Sequence, residues 1–482
     1  MKYFFFLFLV TVCVSYPQTE KNISDTDRVI IFHTYNYEFE AADKIIDEGL
    51  KKNPDSPKYY FLRIGTELIK SMKFRDDAEI EHKQVVTDSI NNMIIPFAEN
   101  AIEMFEDNTK TLEDKFFLGC IYGYLGRIYG IQRSWLSAFS YVKTGKNLLE
   151  EVLEEDPTYY DAYMVLGMFN YFADRMGGFI GIVASILGLS GDRDIGLDYL
   201  KIAQQKGVYT SAQATYILLE LYSRLENNEF AAFPYFEEFV KRYPKNAHIK
   251  NWYCRELMDV DLINKVTGVV KNDKERVLDH YVMGRYYHRI GEYKLSNREF
   301  EYIKNHKEIY FHWYYDHAMF MYAVNNLMLD NRKEAENLKA ELSENYKPLF
   351  DEMLSNEQTA KEITKLAELI GKFEDESEIK RMLTVPPRMN GNEKFLKDIF
   401  DFYSGVNWFK QKNYSEAEKI FDSLKSRENN SFTVESVKYL LEIYSITNVG
   451  KTKAERLVDF IDDMDVESLA YRAKDIEKKY KL

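Results

Sequence analysis

The feature of this sequence that most constrains its fold is a recurrent spacing between small residues. Three glycines are each followed 12 residues later by another small residue, in the pairs Gly126 with Ala138, Gly284 with Ser296, and Gly405 with Ala417. Each glycine is also followed, three residues later, by an aromatic side chain: Tyr129, Tyr287 and Trp408. Facing small residues let two helix backbones approach closely while the aromatic ring fills the adjacent space. The spacing therefore predicts antiparallel helix pairs, repeated along the chain.

A second interval marks where these pairs end. Ala42 stands 12 residues before Pro54, and Ala232 stands 12 residues before Pro244. Proline cannot continue a helix interior, so it ends the second helix of a pair and begins the next turn. Together the two intervals match the tetratricopeptide pattern of about 34 residues. We therefore expect an all-α protein, a right-handed tetratricopeptide-type α-solenoid over residues 24–344, without a β-sheet.

An apolar, glycine-rich run at residues 176–189 interrupts this pattern. The second helix of its unit is expected near Gly196, 29 residues after Gly167 rather than 12, and the run fills the excess. We expect a short inserted helix with one apolar face packed on the helix that contains Gly167. Two alternatives are the wall of a binding cavity and a membrane contact. The residues of the apolar face are Phe179, Ile182, Val183, Ile186 and Leu187.

The remainder of the chain is predicted to be helical but less regular. Residues 345–392 are expected to form a helical linker, in which the prolines and glycine of "TVPPRMNGN" interrupt any helix. Residues 393–482 are expected to form a C-terminal block of helices that contains one clear repeat.

The first residues have the layout of an export signal. Lys2 precedes an apolar run that is shorter than the ~20 residues of a membrane-spanning helix, and small Ser15 offers a cleavage site. We therefore expect residues 1–15 to be a signal peptide, and the protein to be periplasmic or extracellular, with outer-membrane association as a further option. Cys120 and Cys254 then remain, either as two core thiols or as one bridge.

Charge and motifs exclude several functions. The formal net charge of −14 is opposite to that of a nucleic-acid-binding surface and disfavours anionic lipid. Phosphate-binding loops, nucleophile elbows and zinc-protease motifs are absent from the sequence, so we expect no enzyme and no cofactor. His312 and Asp316 share a helix face but have no third ligand at helical spacing, so we expect no metal site.

Residues for binding a partner are sought on the first helix of each pair, because these helices line the concave face of such solenoids. Arginine binds carboxylates in a bidentate manner, which suits an acidic segment of a protein partner. Ordinary surface ion pairs are the alternative for these arginines. Arg193 could form such an ion pair beside a helix that is capped by Ser190 or Asp192. The candidates are Arg127, Asn170, Arg175, Arg193, Arg285 and Arg289.

The segment from Phe116 to Pro244 resembles a known family. "LGRIYGIQRSWLSAF", "DPTYYDAYMVLGMFNYF", the apolar glycine run and "GDRDIGLDYL" follow one another in order. This order is similar to that of the tetratricopeptide family that includes eukaryotic repeat protein 39 and the yeast inclusion-body clearance protein. The resemblance implies a non-catalytic scaffold, with links to membranes and lipid droplets in eukaryotes.

Two functions follow as expectations. The first is an exported scaffold that binds an unidentified protein partner through its concave face. The second is a carrier of a lipid or other hydrophobic ligand, or a membrane-peripheral factor, that uses the segment 176–189. An open cavity lined by apolar atoms would favour the carrier, whereas a filled interior would favour the scaffold.

Overall fold

The computed structural model describes residues 24–175, 190–389, 393–427 and 432–482. These residues contain α-helices and turns but no β-strand, so the all-α prediction is confirmed for them. Within them, every helix is too short or too polar to cross a membrane. In chain order the helices are α1 (Asp25–Tyr35), α2 (Phe39–Lys52), α3 (Pro57–Asp77), α4 (Lys83–Phe105), α5 (Leu112–Ile131), α6 (Trp135–Glu155), α7 (Ala162–Arg175), α8 (Arg193–Lys206), α9 (Ser211–Leu219), α10 (Glu229–Arg242), α11 (Ala247–Asp259), α12 (Ile263–Lys271), α13 (His280–Arg289), α14 (Tyr293–Asn305), α15 (His312–Met328), α16 (Arg332–Leu338), α17 (Lys347–Ser355), α18 (Glu357–Lys372), α19 (Glu376–Thr384), α20 (Lys394–Lys410), α21 (Tyr414–Lys425), α22 (Thr433–Ile446), α23 (Lys451–Met464) and α24 (Glu467–Tyr480).

The small-residue intervals correspond to close approaches between consecutive helices. A Cβ atom on Gly126 of α5 would lie 3.3 Å from the carbonyl oxygen of Ala138 of α6. Between α13 and α14, the Ser296 hydroxyl donates a hydrogen bond of 2.8 Å to the carbonyl oxygen of Gly284. A Cβ atom on Gly405 of α20 would lie 2.8 Å from the Phe421 ring of α21. The helix pairs predicted from these intervals are confirmed.

The pair formed by α7 and α8 shows that an interval can lengthen without loss of the contact. A Cβ atom on Gly167 would lie 2.9 Å from the carbonyl oxygen of Gly196, although the two glycines are far apart in sequence. The prediction that the second helix of this unit begins near Gly196 is confirmed. The predicted apolar face of Phe179, Ile182, Val183, Ile186 and Leu187 lies outside the described residues.

Helix pairs stack on one another, and the stack returns to its own beginning. Alternate helices are in contact, among them α3 with α5, α5 with α7, and α13 with α15, which is the contact pattern of an α-solenoid. The side-chain amide of Asn246 then donates a hydrogen bond of 2.9 Å to the carbonyl oxygen of Tyr35. The Tyr35 ring also contacts the rings of Phe239 and Tyr243. Helix α1 is thus covered by the region around α10 and α11.

The C-terminal helices pack back onto the middle of the chain. Glu467 and Asp475 of α24 form ion pairs with Arg175 and Arg193, respectively. The segment predicted as a helical linker carries α17 to α19, and its side chains are buried in both adjoining cores. Phe350 belongs to the core of the preceding helices, and Ile370 belongs to the C-terminal core. Cys120 and Cys254 are buried and unbridged, which confirms the prediction of two core thiols.

A buried carboxyl group on α18 makes stability depend on pH. Burial raises the pKa of Glu368 to about 7 from its ordinary 4.5, although Lys372 and Arg289 oppose this. The folded chain therefore binds more protons than the unfolded chain, and its free energy of unfolding falls as pH rises from about 4.5 to about 7. We expect Glu368→Gln to reduce this fall and to raise stability at pH 8 by about 1–3 kcal/mol. Urea unfolding at acidic and alkaline pH measures the free energy of unfolding of this variant, with the exposed Glu376→Gln as control. Equal pH profiles for both variants would contradict the prediction.

Candidate functional site

A cavity of about 690 Å³ lies between helices α5, α6, α7 and α9. Most of its lining is apolar and comes from these four helices of the stack. Helix α9 continues at its end as a π-helical turn, Glu220–Leu225, and this turn forms part of the wall. Such turns often occur at functional sites because they displace side chains from the regular helical register. The apolar lining residues include Ile131, Trp135, Phe139, Val142, Val165, Leu166, Met168, Phe169, Phe172, Ile217 and Leu225.

Three glycines of α5 line the cavity. Gly123, Gly126 and Gly130 follow one another at helical spacings of three and four, so they lie on one face of the helix. Neighbouring valines fill the first two positions, because a Cβ atom on Gly123 would contact Val165 and one on Gly126 would contact Val142. A Cβ atom on Gly130 would meet nothing within 4 Å. The open part of the cavity is therefore at the C-terminal end of α5.

The charged groups at the cavity are mostly engaged with other parts of the chain. Lys146 pairs with Glu150, and Glu220 lies 3.9 Å from Arg224. Arg175 donates a hydrogen bond of 3.2 Å to the carbonyl oxygen of Leu225, and a second of 2.7 Å to Glu467. It is held between the π-helical turn and α24, at the edge of the cavity.

Arg127 differs from these groups. It is half-buried on α5 and lines the cavity, yet it forms no hydrogen bond or ion pair with any residue in the described parts of the chain. Arg127 also borders a second, much smaller space of about 20 Å³, which extends towards α1, α3 and α9. Met168 and Ile217 line both spaces as well, so the two spaces adjoin at these three side chains.

The small space is lined mostly by apolar side chains, but Arg127, Tyr216 and Gln213 bring polar groups to it. Tyr216 borders it, and the Tyr216 hydroxyl is buried without a hydrogen-bond partner among the described residues. Gln213 borders it too and accepts a hydrogen bond of 2.6 Å from the hydroxyl of Tyr124. Burial raises the pKa of Tyr216, Glu220 raises it further, and Arg224, Arg127 and Arg75 lower it. The Tyr216 phenol is therefore a neutral donor at physiological pH.

The structure places the other predicted binding residues in contacts within the chain. Asn170 donates to the carbonyl oxygen of Leu166 at 2.8 Å, and Arg285 donates to Asp259 at 2.7 Å. Arg289 pairs with Asp261 and also donates to the carbonyl oxygen of Ala367 at 3.2 Å. Of the six candidates, the cavity brings together Arg127 and Arg175. A binding role for the others stays a prediction.

Arg193 is the most deeply engaged of the six. Its Nε and Nη2 atoms donate to the two carboxylate oxygens of Glu226 at 2.7 and 2.8 Å, and it also pairs with Asp475. The carboxylate of Asp192 accepts a hydrogen bond of 2.9 Å from the backbone of Ile195, at the N-terminus of α8. The interpretation of this stretch as a helix cap beside an ion-paired arginine is confirmed.

Potential metal ligands cluster at one place in the described chain. Glu79, Glu81 and His82 have donor atoms within 4.8 Å of one another, and all three residues are exposed. Exposed carboxylates are well solvated and gain little from a loosely held cation. We assign no metal to them.

Sequence reasoning did not find the cavity itself. The spacing of Gly123, Gly126 and Gly130 was a usable signal, since it removes three side chains from one helix face. Tyr216 gave no comparable signal, because nothing in the sequence shows that it approaches Arg127. Comparison of the chain with models of known protein families and with curated proteins finds no match.

Proposed function

We propose that the protein is a non-catalytic, tetratricopeptide-type α-solenoid that binds a hydrophobic small molecule in the cavity between α5, α6, α7 and α9. The single observation that carries this proposal is the cavity, whose volume of about 690 Å³ falls within the range of small-molecule sites. Its predominantly apolar lining matches the chemistry of such a ligand. The recurring helix pairs support the tetratricopeptide type, and the apolar leader supports a place outside the cytoplasm.

The contacts of the predicted binding residues favour this function over a scaffold. Arg193, Arg285 and Arg289 have carboxylate partners within the chain, so they do not need an acidic segment of another protein. A protein partner remains the second candidate, and the turn between α5 and α6 favours it. Ile131 and Leu136 there are 60% and 82% exposed, and apolar side chains of this kind can anchor a partner.

Filling the cavity tests the proposal. Gly130→Phe introduces a ring where a side chain meets no neighbour, and we expect it to weaken binding of the neutral fluorophore N-phenyl-1-naphthylamine by about tenfold or more. Gly268→Phe is the matched control, because Gly268 of α12 also faces open space and does not line the cavity. Fluorescence titration of both purified variants gives the affinities.

The fluorescence of Trp135 provides an independent measurement of binding, because Trp135 lines the cavity. Binding of the fluorophore should quench tryptophan emission in the native chain, and Trp135→Phe should remove most of that quenching. Equal affinity of Gly130→Phe and Gly268→Phe for the fluorophore would show that the cavity is not the binding site.

A further inference from the structure

We propose that the ligand is a long-chain carboxylate whose head group binds Arg127 and the Tyr216 hydroxyl while its apolar chain occupies the cavity. This inference rests on the proposed function, because it names the chemical class of the molecule that the cavity takes. It follows from the place where the cavity meets the small space, at which Arg127 and Tyr216 bring two polar groups together.

The guanidinium of Arg127 has no anionic partner among the described residues. A half-buried charge without a counter-ion is costly, so buried charges in proteins are normally paired. Lys146, Arg175 and Glu220 at the same cavity have partners within the chain, whereas Arg127 has none among the described residues. An anionic group on the ligand would supply the missing partner. Its apolar part would then extend along the lining of α5, α6 and α7.

The hydroxyl of Tyr216 is a second polar group that lacks a partner. Tyr216 is only 7% exposed, and buried hydroxyl groups in proteins nearly always have a hydrogen-bond partner. Its hydroxyl has none among the described residues, and Tyr216 borders the same small space as Arg127. One oxygen of a carboxylate can accept from the guanidinium while the other accepts from the phenol. Both groups are donors at physiological pH, so they select an acceptor-only head group.

The size of the small space distinguishes a carboxylate from a phosphate. A void of about 20 Å³ holds little more than one water molecule. A carboxylate is planar and presents two oxygens, one for the guanidinium and one for the phenol. A phosphate monoester presents three oxygens around a tetrahedral centre and needs more room. A single carboxylate oxygen matches this space in size and the rest of the head group lies in the adjoining cavity, so the smaller carboxylate is favoured over a phosphate.

Calorimetric titration of the purified full chain with palmitate, hexadecan-1-ol and lysophosphatidic acid tests the inference. We expect palmitate to bind most tightly. Arg127→Met should weaken palmitate binding by about 10- to 100-fold, which is the loss expected for hydrogen bonds to a charged group. Tyr216→Phe should weaken it by a smaller factor, and Arg127→Lys should recover part of the loss because it restores the charge without the planar guanidinium.

Three controls accompany these variants. Hexadecan-1-ol has the same chain without the charge, so Arg127→Met should leave its affinity within about twofold. Arg298→Met removes an exposed arginine from α14 and should leave palmitate binding unchanged. The melting temperature of Arg127→Met should be no lower than that of the native chain, because Arg127 makes no ion pair within the described residues.

The outcomes separate this inference from the proposed function. If none of the three amphiphiles binds, the carboxylate inference fails, and the proposed function fails with it if N-phenyl-1-naphthylamine does not bind either. If hexadecan-1-ol binds as tightly as palmitate, or Arg127→Met binds palmitate as the native chain does, the proposed function stands and the carboxylate inference is wrong. Tighter binding of lysophosphatidic acid than of palmitate would also overturn it, in favour of a phosphate head group.

Discussion

Replacing Arg193 by methionine is expected to lower the free energy of unfolding by about 3–5 kcal/mol. The reason is the carboxylate of Glu226, whose side chain is fully buried and accepts both of its strongest hydrogen bonds from Arg193. The hydroxyl of Tyr171, at 3.1 Å, would be the main donor left to it. Removing the guanidinium therefore leaves a buried charge with one neutral partner, which is far more costly than losing a surface ion pair. Urea unfolding followed by far-ultraviolet circular dichroism measures the change.

Two further variants show which ion pair of Arg193 contributes most to the free energy of unfolding. Asp475 pairs with the same arginine but is about half exposed, so Asp475→Asn should cost no more than about 1 kcal/mol. The double variant Arg193→Met with Glu226→Leu should recover much of the loss, because it removes the stranded charge. If Arg193→Met costs no more than Asp475→Asn, the buried pair does not stabilise the contact between α8 and the π-helical turn.

The second large effect is expected at the closest approach of α5 and α6. Gly126→Leu should cost about 1–3 kcal/mol or more, because a Cβ atom at this position would lie 2.4 Å from a methyl group of Val142 and 3.1 Å from its backbone nitrogen. Backbone atoms cannot move aside as a flexible side chain can, so the two helices would have to separate. Thermal and urea unfolding give the cost.

Gly130→Leu is the matched control for Gly126→Leu. It makes the same substitution one helical turn later, at a position where a Cβ atom meets nothing within 4 Å. We expect it to be neutral or slightly stabilising, since leucine has the higher helix propensity. A melting temperature for Gly126→Leu equal to that of Gly130→Leu would show that the helices can separate there without cost.

The helix pairs were predictable because their determinants are local. Close packing of Gly126 on Ala138, or of Gly284 beside Ser296, needs small residues at a fixed interval, and an interval can be read from one sequence. The second helix near Gly196 was also predictable from local sequence, although it follows Gly167 by 29 residues rather than 12. The handedness and the repeat type of such a stack depend on small rotations between successive pairs, which residue spacing does not determine.

The binding residues were less predictable because a residue type does not reveal its partner. Arg193 was taken from the sequence as a group that could face a binding partner, yet Asp475, which pairs with it, lies 282 residues away. Arg285 and Arg289 are engaged in the same way by Asp259 and Asp261, which lie on or just after another helix. Arg127 shares their residue type and differs only in what surrounds it.

The contact of α1 with the region around α11 changes how the chain folds. Repeat proteins whose units touch only their neighbours fold and unravel piece by piece. Here the carbonyl oxygen of Tyr35 is held by Asn246, 211 residues further along the chain, and the side chain of Asn36 is held by the backbone of Lys245, 209 residues on. Such contacts stabilise the chain only after a very long loop has closed, and the entropy lost in closing that loop slows folding. Once formed, they tie the first helix to the eleventh, so fraying of the first helix must also break contacts in the middle of the chain.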